Sequence, residues 1–247
     1  MKKIITSLAA LILALLAASC QKDPLERALG DGNSFRKVGQ FENAIDSYKW
    51  ALELDSTSVE AALGLGFCQI QAQQYDDALK TYNRLLKIHP EQEEAYFRLG
   101  QLQSNRKEFA AAIRSFRRAI ELDTTRADSH YQLGLAFGAA ENYGSALAEF
   151  DAAVKLDPKH ADAWYNRGNI LTREKKYEEA ILSYSHVTAL QPDRLMGWYM
   201  LGDASYALGR YADAAKYFEK ALELNFGFTA AQEALKLSRE KFQASSK

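Results

Sequence analysis

The sequence predicts an all-α fold, a solenoid of six helical hairpins of 34 residues each, closed by one further helix. Three observations carry this. Glycine recurs at Gly32, Gly66, Gly100, Gly134, Gly168 and Gly202, always 34 residues apart and with no insertion to break the register. Twelve residues after each glycine stands an alanine: Ala44, Ala78, Ala112, Ala146, Ala180 and Ala214. Aromatic residues flank each alanine, three before it (Phe41, Tyr75, Phe109, Tyr143, Tyr177, Tyr211) and four after it (Tyr48, Tyr82, Phe116, Phe150, Tyr184, Phe218).

The repeats run over 25–58, 59–92, 93–126, 127–160, 161–194 and 195–228. Within each, the constrained positions are 4, 7, 8 and 11, then 17, 20, 24 and 27. Steps of three and four put each set on one face of a helix, so each repeat is two helices. Glycine at position 8 and alanine at position 20 let the helix axes approach, and the aromatics at 17 and 24 are expected to fill the wedge toward the neighbouring repeat. The hairpin turns carry breakers or polar residues such as Gly39, Asn142 and Gly209, and Pro90, Pro158 and Pro192 fall between repeats. Residues 229–244, with Ala234, Leu235, Leu237 and Phe242 at helical spacing, read as a capping helix within 229–247, and Ser245, Ser246 and Lys247 as its frayed tail.

With Trp164 and Trp198 at position 4 and Leu65, Leu99, Leu133 and Leu201 at position 7, these residues are those of the tetratricopeptide repeat, which the chain resembles over 25–228. The resemblance implies a right-handed superhelix whose first helices line a concave groove, with positions 2, 5, 9, 12 and 13 facing into it. Departures are few. The first repeat has Ala28 and Asp31 where bulk is usual, the fifth has Arg167 at position 7, and the last has Phe226 where proline is common. Weak edge repeats suit the ends of a solenoid, which meet water.

The chain opens with Lys2 and Lys3 and an apolar run from Ile4 to Ala18. That run is shorter than the ~20 residues of a membrane-spanning helix and has the form of a signal peptide, 1–19. It closes as Leu16, Ala17, Ala18, Ser19, Cys20, which resembles the lipobox of bacterial lipoproteins, although Ala17 stands where a branched apolar residue is usual. The resemblance implies lipid attachment at Cys20 through diacylglycerol and an amide-linked chain such as palmitate, with 20–24 a lipidated N-terminus and short linker. Gln21, rather than aspartate, implies the outer membrane; Cys20, Gln21, Lys22 and Asp23 resemble the start of a surface-export tag with only one acidic residue, and the periplasmic face is expected in preference to the cell surface. Four extended residues reach ~14 Å, so the solenoid is expected to lie against the bilayer. A lipid anchor with six such repeats is similar in plan to the pilotin lipoproteins that help a pilus secretin assemble.

Composition narrows the function. The 247 residues are 47% apolar, enough for a continuous core. Taking the two leader lysines from 31 leaves 29 basic against 32 acidic residues, which argues against nucleic acid as a partner. Cys20 and Cys68 are the only cysteines, so no disulfide framework or metal pair is expected. His89, His130, His160 and His186 fall at different repeat positions with no partner at metal-ligand spacing. Gly64 and Gly66 lie inside a helix rather than in a phosphate loop, Cys68 reads as a small buried group, and Arg114, Arg117 and Arg118 as a solvated face. No cofactor, metal or catalysis is expected.

The groove positions suggest a protein partner. Position 5 reads Leu29, Leu63, Phe97, Tyr131, Tyr165, Tyr199, an aromatic ladder from the third repeat to the sixth that serves either recognition or core packing. Beside it lie Arg98, Asn166, Asn169 and Arg173, amides and guanidiniums suited to the backbone of an extended peptide or a helix. Position 2 is acidic at Glu26, Glu60, Glu94, Asp128 and Asp162, which the dipole of a helix start already favours. Chaperone-tail clamps of the family carry lysine at position 5 of an early repeat; Leu29 and Leu63 stand there. The function expected is a protein-interaction scaffold or assembly adaptor of the cell envelope. The alternative is a glycan- or nutrient-binding lipoprotein whose tyrosines stack on sugar rings.

Overall fold

The computed structural model describes residues 23–245; the leader, Cys20, Ser246 and Lys247 lie outside the described residues. Among the described residues there are thirteen α-helices and no strand. They are α1 (Pro24–Lys37), α2 (Phe41–Leu54), α3 (Val59–Gln71), α4 (Tyr75–Ile88), α5 (Glu93–Asn105), α6 (Phe109–Leu122) and α7 (Ala127–Ala139). Then follow α8 (Tyr143–Leu156), α9 (Ala161–Arg173), α10 (Tyr177–Leu190), α11 (Leu195–Ala207), α12 (Tyr211–Leu224) and α13 (Thr229–Ser245). Each repeat thus holds two helices in the register the glycines set. Ser245 belongs to the last helix rather than to a tail.

The chain forms two compact bodies, one ending at Leu102 and one starting at Gln103. In the first, a core of Ala28, Ala44, Ile45, Tyr48, Leu65 and Cys68 lies beside a second of Ala78, Tyr82, Leu85, Leu99 and Leu102. In the second body consecutive helices pack in chain order, around Leu171, Ala180, Tyr184, Leu201 and Ala204.

The pairing of glycine 8 with aromatic 24 explains the period. Tyr48, Tyr82, Phe116, Phe150, Tyr184 and Phe218 are all buried, and so are the six alanines at position 20. A Cβ on Gly66 would stand 2.5 Å from Tyr82, on Gly168 2.6 Å from Tyr184, and on Gly202 2.7 Å from Phe218. The missing side chain is therefore the space in which the ring of the same repeat's second helix lies, and helix and ring interlock at interior density. Tyr48 is held on two sides, because Gly32 and Gly64 both face it. Position 17 departs from expectation. Tyr75 is 40% exposed and the other aromatics there are only half-buried, because this position opens the second helix at the hairpin tip, with one side turned to water.

All six hairpin turns use one device. Gly39, Gln73, Lys107, Glu141, Lys175 and Gly209 share the left-handed conformation, with φ between 59° and 76°. The amide that follows each reaches back to the first helix, as Gln40 N to Phe35 O (2.9 Å) and Lys176 N to Leu171 O (2.9 Å). This is the Schellman ending of a helix, which glycine adopts most readily. Asn142, expected as a breaker, instead caps α8 by accepting from Ser145 N. Between repeats the turn is held by side chains: Asp55 accepts from Thr57 N and Oγ1, and Asp123 from the same atoms of Thr125. Those bonds hold both carboxyls below the usual carboxylate range.

Candidate functional site

Of the eight expected groove residues, Phe97 and Arg98 lie in the first body and the other six in the second. Phe97 is only 3% exposed, so its ring belongs to the packed interior rather than to an open face. Arg98 bonds Glu94 at 2.6 Å and Gln101 at 3.1 Å, one helical turn to either side. Near it Arg36, Leu63, Phe67 and Glu94 line a recess in which the Arg36 guanidinium lies 5.8 Å from the Phe67 ring.

In the second body the three tyrosines are half-buried, and the ring contacts they make are with other residues rather than with one another. Each is flanked on two sides. On one, Tyr131 packs against Phe150 (6.0 Å), Tyr165 against Tyr184 (6.0 Å) and Tyr199 against Phe218 (5.6 Å), the position-24 ring of the same repeat. On the other, the last residue of the repeat covers the ring: His160 on Tyr131 at 4.5 Å, Arg194 on Tyr165 at 4.3 Å, and Phe228 on Tyr199 at 5.0 Å. Position 34 reads Ser58, Gln92, Arg126, His160, Arg194 and Phe228, with no shared chemistry to mark it in the sequence.

The carboxylates at position 2 join this arrangement. Asp162 accepts from Arg194 at 2.6 Å, and Asp128 lies 3.4 Å from His160. The dipole of the helix start is therefore not their sole role; they also hold the residue that lids the tyrosine. His160 caps α9 as well, through Ala163 N, and His130 bonds Glu149 at 2.7 Å. Both histidines are engaged in holding helices together.

The polar atoms beside the tyrosines are partly committed. Asn166 donates to the Asp162 carbonyl (2.9 Å) and lies 3.5 Å from the Tyr131 hydroxyl. The side-chain oxygen of Asn169 accepts from the buried Tyr184 hydroxyl at 2.9 Å, which leaves its amide hydrogens for a ligand. Arg173 is exposed, with its guanidinium 4.2 Å from the Tyr143 ring. Asp203 meets solvent yet is enclosed closely enough that desolvation raises its pKa, so this face carries a carboxylate suited to a cationic group.

Elsewhere the side chains read as structure. Cys68 is buried in the first body, and burial pushes its thiol pKa up to about 11. Arg167, where leucine is usual, bonds Asp151 of the preceding repeat (2.6 Å) and, across its own hairpin, Ser183 (2.7 Å). Arg118 pairs with Glu121, while Arg114 and Arg117 are exposed. Among the described residues no group of three His, Cys, Asp or Glu side chains is placed to hold a metal ion.

Sequence profiles of the tetratricopeptide repeat match residues 35–102, 93–126, 131–193 and 196–228. Together they span most of the chain, which belongs to the tetratricopeptide-repeat family. No curated protein matches it in sequence. Among solved structures, PilF of Pseudomonas aeruginosa is similar at 18% identity, covering 90% of this chain and 97% of its own, with a TM-score of 0.71. YrrB, described as a TPR protein with an unusual peptide-binding site, is 21% identical over 78% of this chain and 100% of its own, with a TM-score of 0.69. MamA is 28% identical over 66% of this chain and 89% of its own, with a TM-score of 0.63.

Proposed function

We propose that this protein is a lipid-anchored scaffold of the bacterial envelope that holds a polypeptide partner along the first helices of its second body. The observation that carries the reading is a row of side chains on successive first helices, in which half-buried tyrosines are locked in place and the amides of Asn166 and Asn169 and the guanidinium of Arg173 stand beside them. Tyrosines pinned on two sides lose little entropy on binding and offer their hydroxyl edges, and the Asn169 amide hydrogens, left over once its oxygen has accepted from Tyr184, suit a peptide carbonyl. Stacking on sugar rings finds less support, since one side of each ring is covered by His160, Arg194 or Phe228.

The anchor is Cys20 with the leader before it, and Gln21 favours the outer membrane with the protein on its periplasmic side. The short linker and the likeness in plan to pilotin lipoproteins support a role in assembling a component embedded in that membrane.

The test is a crosslinking pull-down from intact membranes with the natural chain, the Asn166→Ala/Arg173→Ala double variant and Cys20→Ser. The double variant is expected to melt like the natural chain and to lose one defined envelope protein. Cys20→Ser is expected to abolish palmitate incorporation and leave the membrane fraction. An unchanged partner set in the double variant refutes the groove, and retention of labelled lipid by Cys20→Ser refutes the anchor.

A further inference from the structure

Position 4 of the repeat reads Ala28, Ala62, Tyr96, His130, Trp164, Trp198. In the fifth and sixth repeats the indole at this position fastens the repeat to the turn that enters it. Trp164 Nε1 donates to the Pro158 carbonyl and Trp198 Nε1 to the Pro192 carbonyl, each at 2.9 Å. The Trp164 ring also lies flat on His186, with centroids 4.2 Å apart and planes 12° from parallel. In the fifth repeat the seat for the indole thus has three parts: a carbonyl in the entering turn, a flat side chain on the second helix, and apolar walls at Ala153 and Val154.

The second repeat keeps the seat and lacks the ring. Ala62 stops at its Cβ, and a recess of ≈ 70 Å³ opens in front of it. Its walls are Leu52, Leu65 and Ile88, with Ser56 in the entering turn and Arg84 on the second helix. Ser56 stands at the repeat position of Pro158 and Pro192, and Arg84 at that of His186. The hydroxyls of Thr57, Ser58 and Thr81 also line the recess but are engaged on Asp55, Ala61 N and Gln69, leaving few partners for an ordered water, which needs two to four. An arginine is a suitable flat surface for an aromatic ring.

We propose that this recess takes a tryptophan side chain from a partner polypeptide, its indole N–H bonded to the Ser56 carbonyl and its ring laid on the Arg84 guanidinium. The chain's own Trp164 shows the geometry such a guest would adopt, and Trp198 repeats its bond to the turn carbonyl. This site is separate from the first-helix row proposed above and does not rest on that reading.

The test is an amide-shift titration of the ¹⁵N-labelled full chain with N-acetyl-tryptophanamide, beside N-acetyl-leucinamide and free tryptophan. Saturable shifts are expected at 56–62 and 81–88 with the tryptophan amide, with none from the leucine amide and no tighter binding of the free amino acid. Arg84→Ala, an exposed change, should leave the melt unchanged and weaken the affinity roughly two- to fivefold. Ala62→Trp should fill the seat from within, abolish the shifts and raise Tm. Scattered shifts, an equal response to the leucine amide, an unaltered affinity in Arg84→Ala, or an Ala62→Trp chain that melts lower would each overturn the proposal. Tighter binding of free tryptophan would overturn the assignment to a polypeptide.

Discussion

The second and fifth repeats share one backbone plan and differ in how completely it is filled. In the fifth, the hydroxyl of Tyr184 bonds Asn169 (2.9 Å) and lies 3.2 Å from Thr172, and Trp164 closes the seat at position 4. The first repeat repeats the pairing, with Tyr48 donating to Asn33 at 2.8 Å. In the second, Phe67 takes the place of the asparagine, the buried Tyr82 hydroxyl has no hydrogen-bond partner, and Ala62 leaves its seat open. The signature residues that define a repeat thus set its helices and its ring-in-glycine interlock. Whether the repeat is satisfied within itself depends on positions 4 and 9, which the signature leaves free.

The largest effect that would break the comparison is at the shared interlock. Gly66→Ala and Gly168→Ala are each expected to lose about 2 kcal/mol in urea denaturation, because the new methyl would meet a fully buried ring at 2.5–2.6 Å. Gly144→Ala, with nothing within 4 Å, should instead gain up to about 1 kcal/mol by helix propensity. Equal responses at all three glycines would refute the interlock.

The next effect differs in sign between the two repeats. Tyr184→Phe removes two polar contacts and strands Asn169, and should cost about 1 kcal/mol. Tyr82→Phe deletes a buried hydroxyl that bonds nothing, and should stabilise by about 1 kcal/mol. Destabilisation by both, read in the same denaturation experiment, would show that the Tyr82 hydroxyl has a partner.

The fold was legible because its signal is a period: glycine, alanine and two aromatics recur in register six times, and helical spacing turns recurrence into faces. The candidate site was legible only as a face. That Tyr131, Tyr165 and Tyr199 share one row follows from position 5 alone. That His160, Arg194 and Phe228 lie over them does not, because a residue at the end of one repeat meets a ring at its start only once the chain has turned through two helices. Phe97 was misplaced for a related reason. Its position matches the tyrosines', but without a hydroxyl to keep at a wet edge it sinks to 3% exposure. The aromatics at position 17 bury less than their face predicts, because a hydrophobic residue on the correct face can still sit at a helix end.

A smaller effect separates repeats by their hairpin turns. Gln73→Gly and Lys175→Gly relieve a left-handed φ of about 60° and should each gain about 1 kcal/mol, whereas Gly39→Ala and Gly209→Ala should each lose as much. A melt series in which all four changes act in one direction would contradict the shared turn.

The smallest lies between the repeats and depends on pH. The Thr57 and Thr125 bonds depress the pKa of Asp55 and Asp123 in the folded chain. Their contribution is therefore full above the unfolded carboxyl value near ~4 and is lost as pH falls through the lower folded values. Thr57→Val and Thr125→Val should lower Tm slightly at neutral pH and leave it nearly unaffected at the acid end, so that the acid limb of a Tm-against-pH curve flattens. An unaltered acid limb would assign it to other carboxylates.

The buried Cys68 gives the first body a chemical clock. With its thiol pKa at about 11 and no exposure in the core beside Tyr48, it meets an alkylating reagent at pH 8 only when that core opens. The rate of its modification, followed peptide by peptide so that Cys20 does not intrude, reports the opening equilibrium of the core that the first and second repeats share. A guest tryptophan seated in front of Ala62 would slow that rate in proportion to its occupancy, so partner binding at one face of the repeat becomes measurable as protection of a sulfur atom in its core.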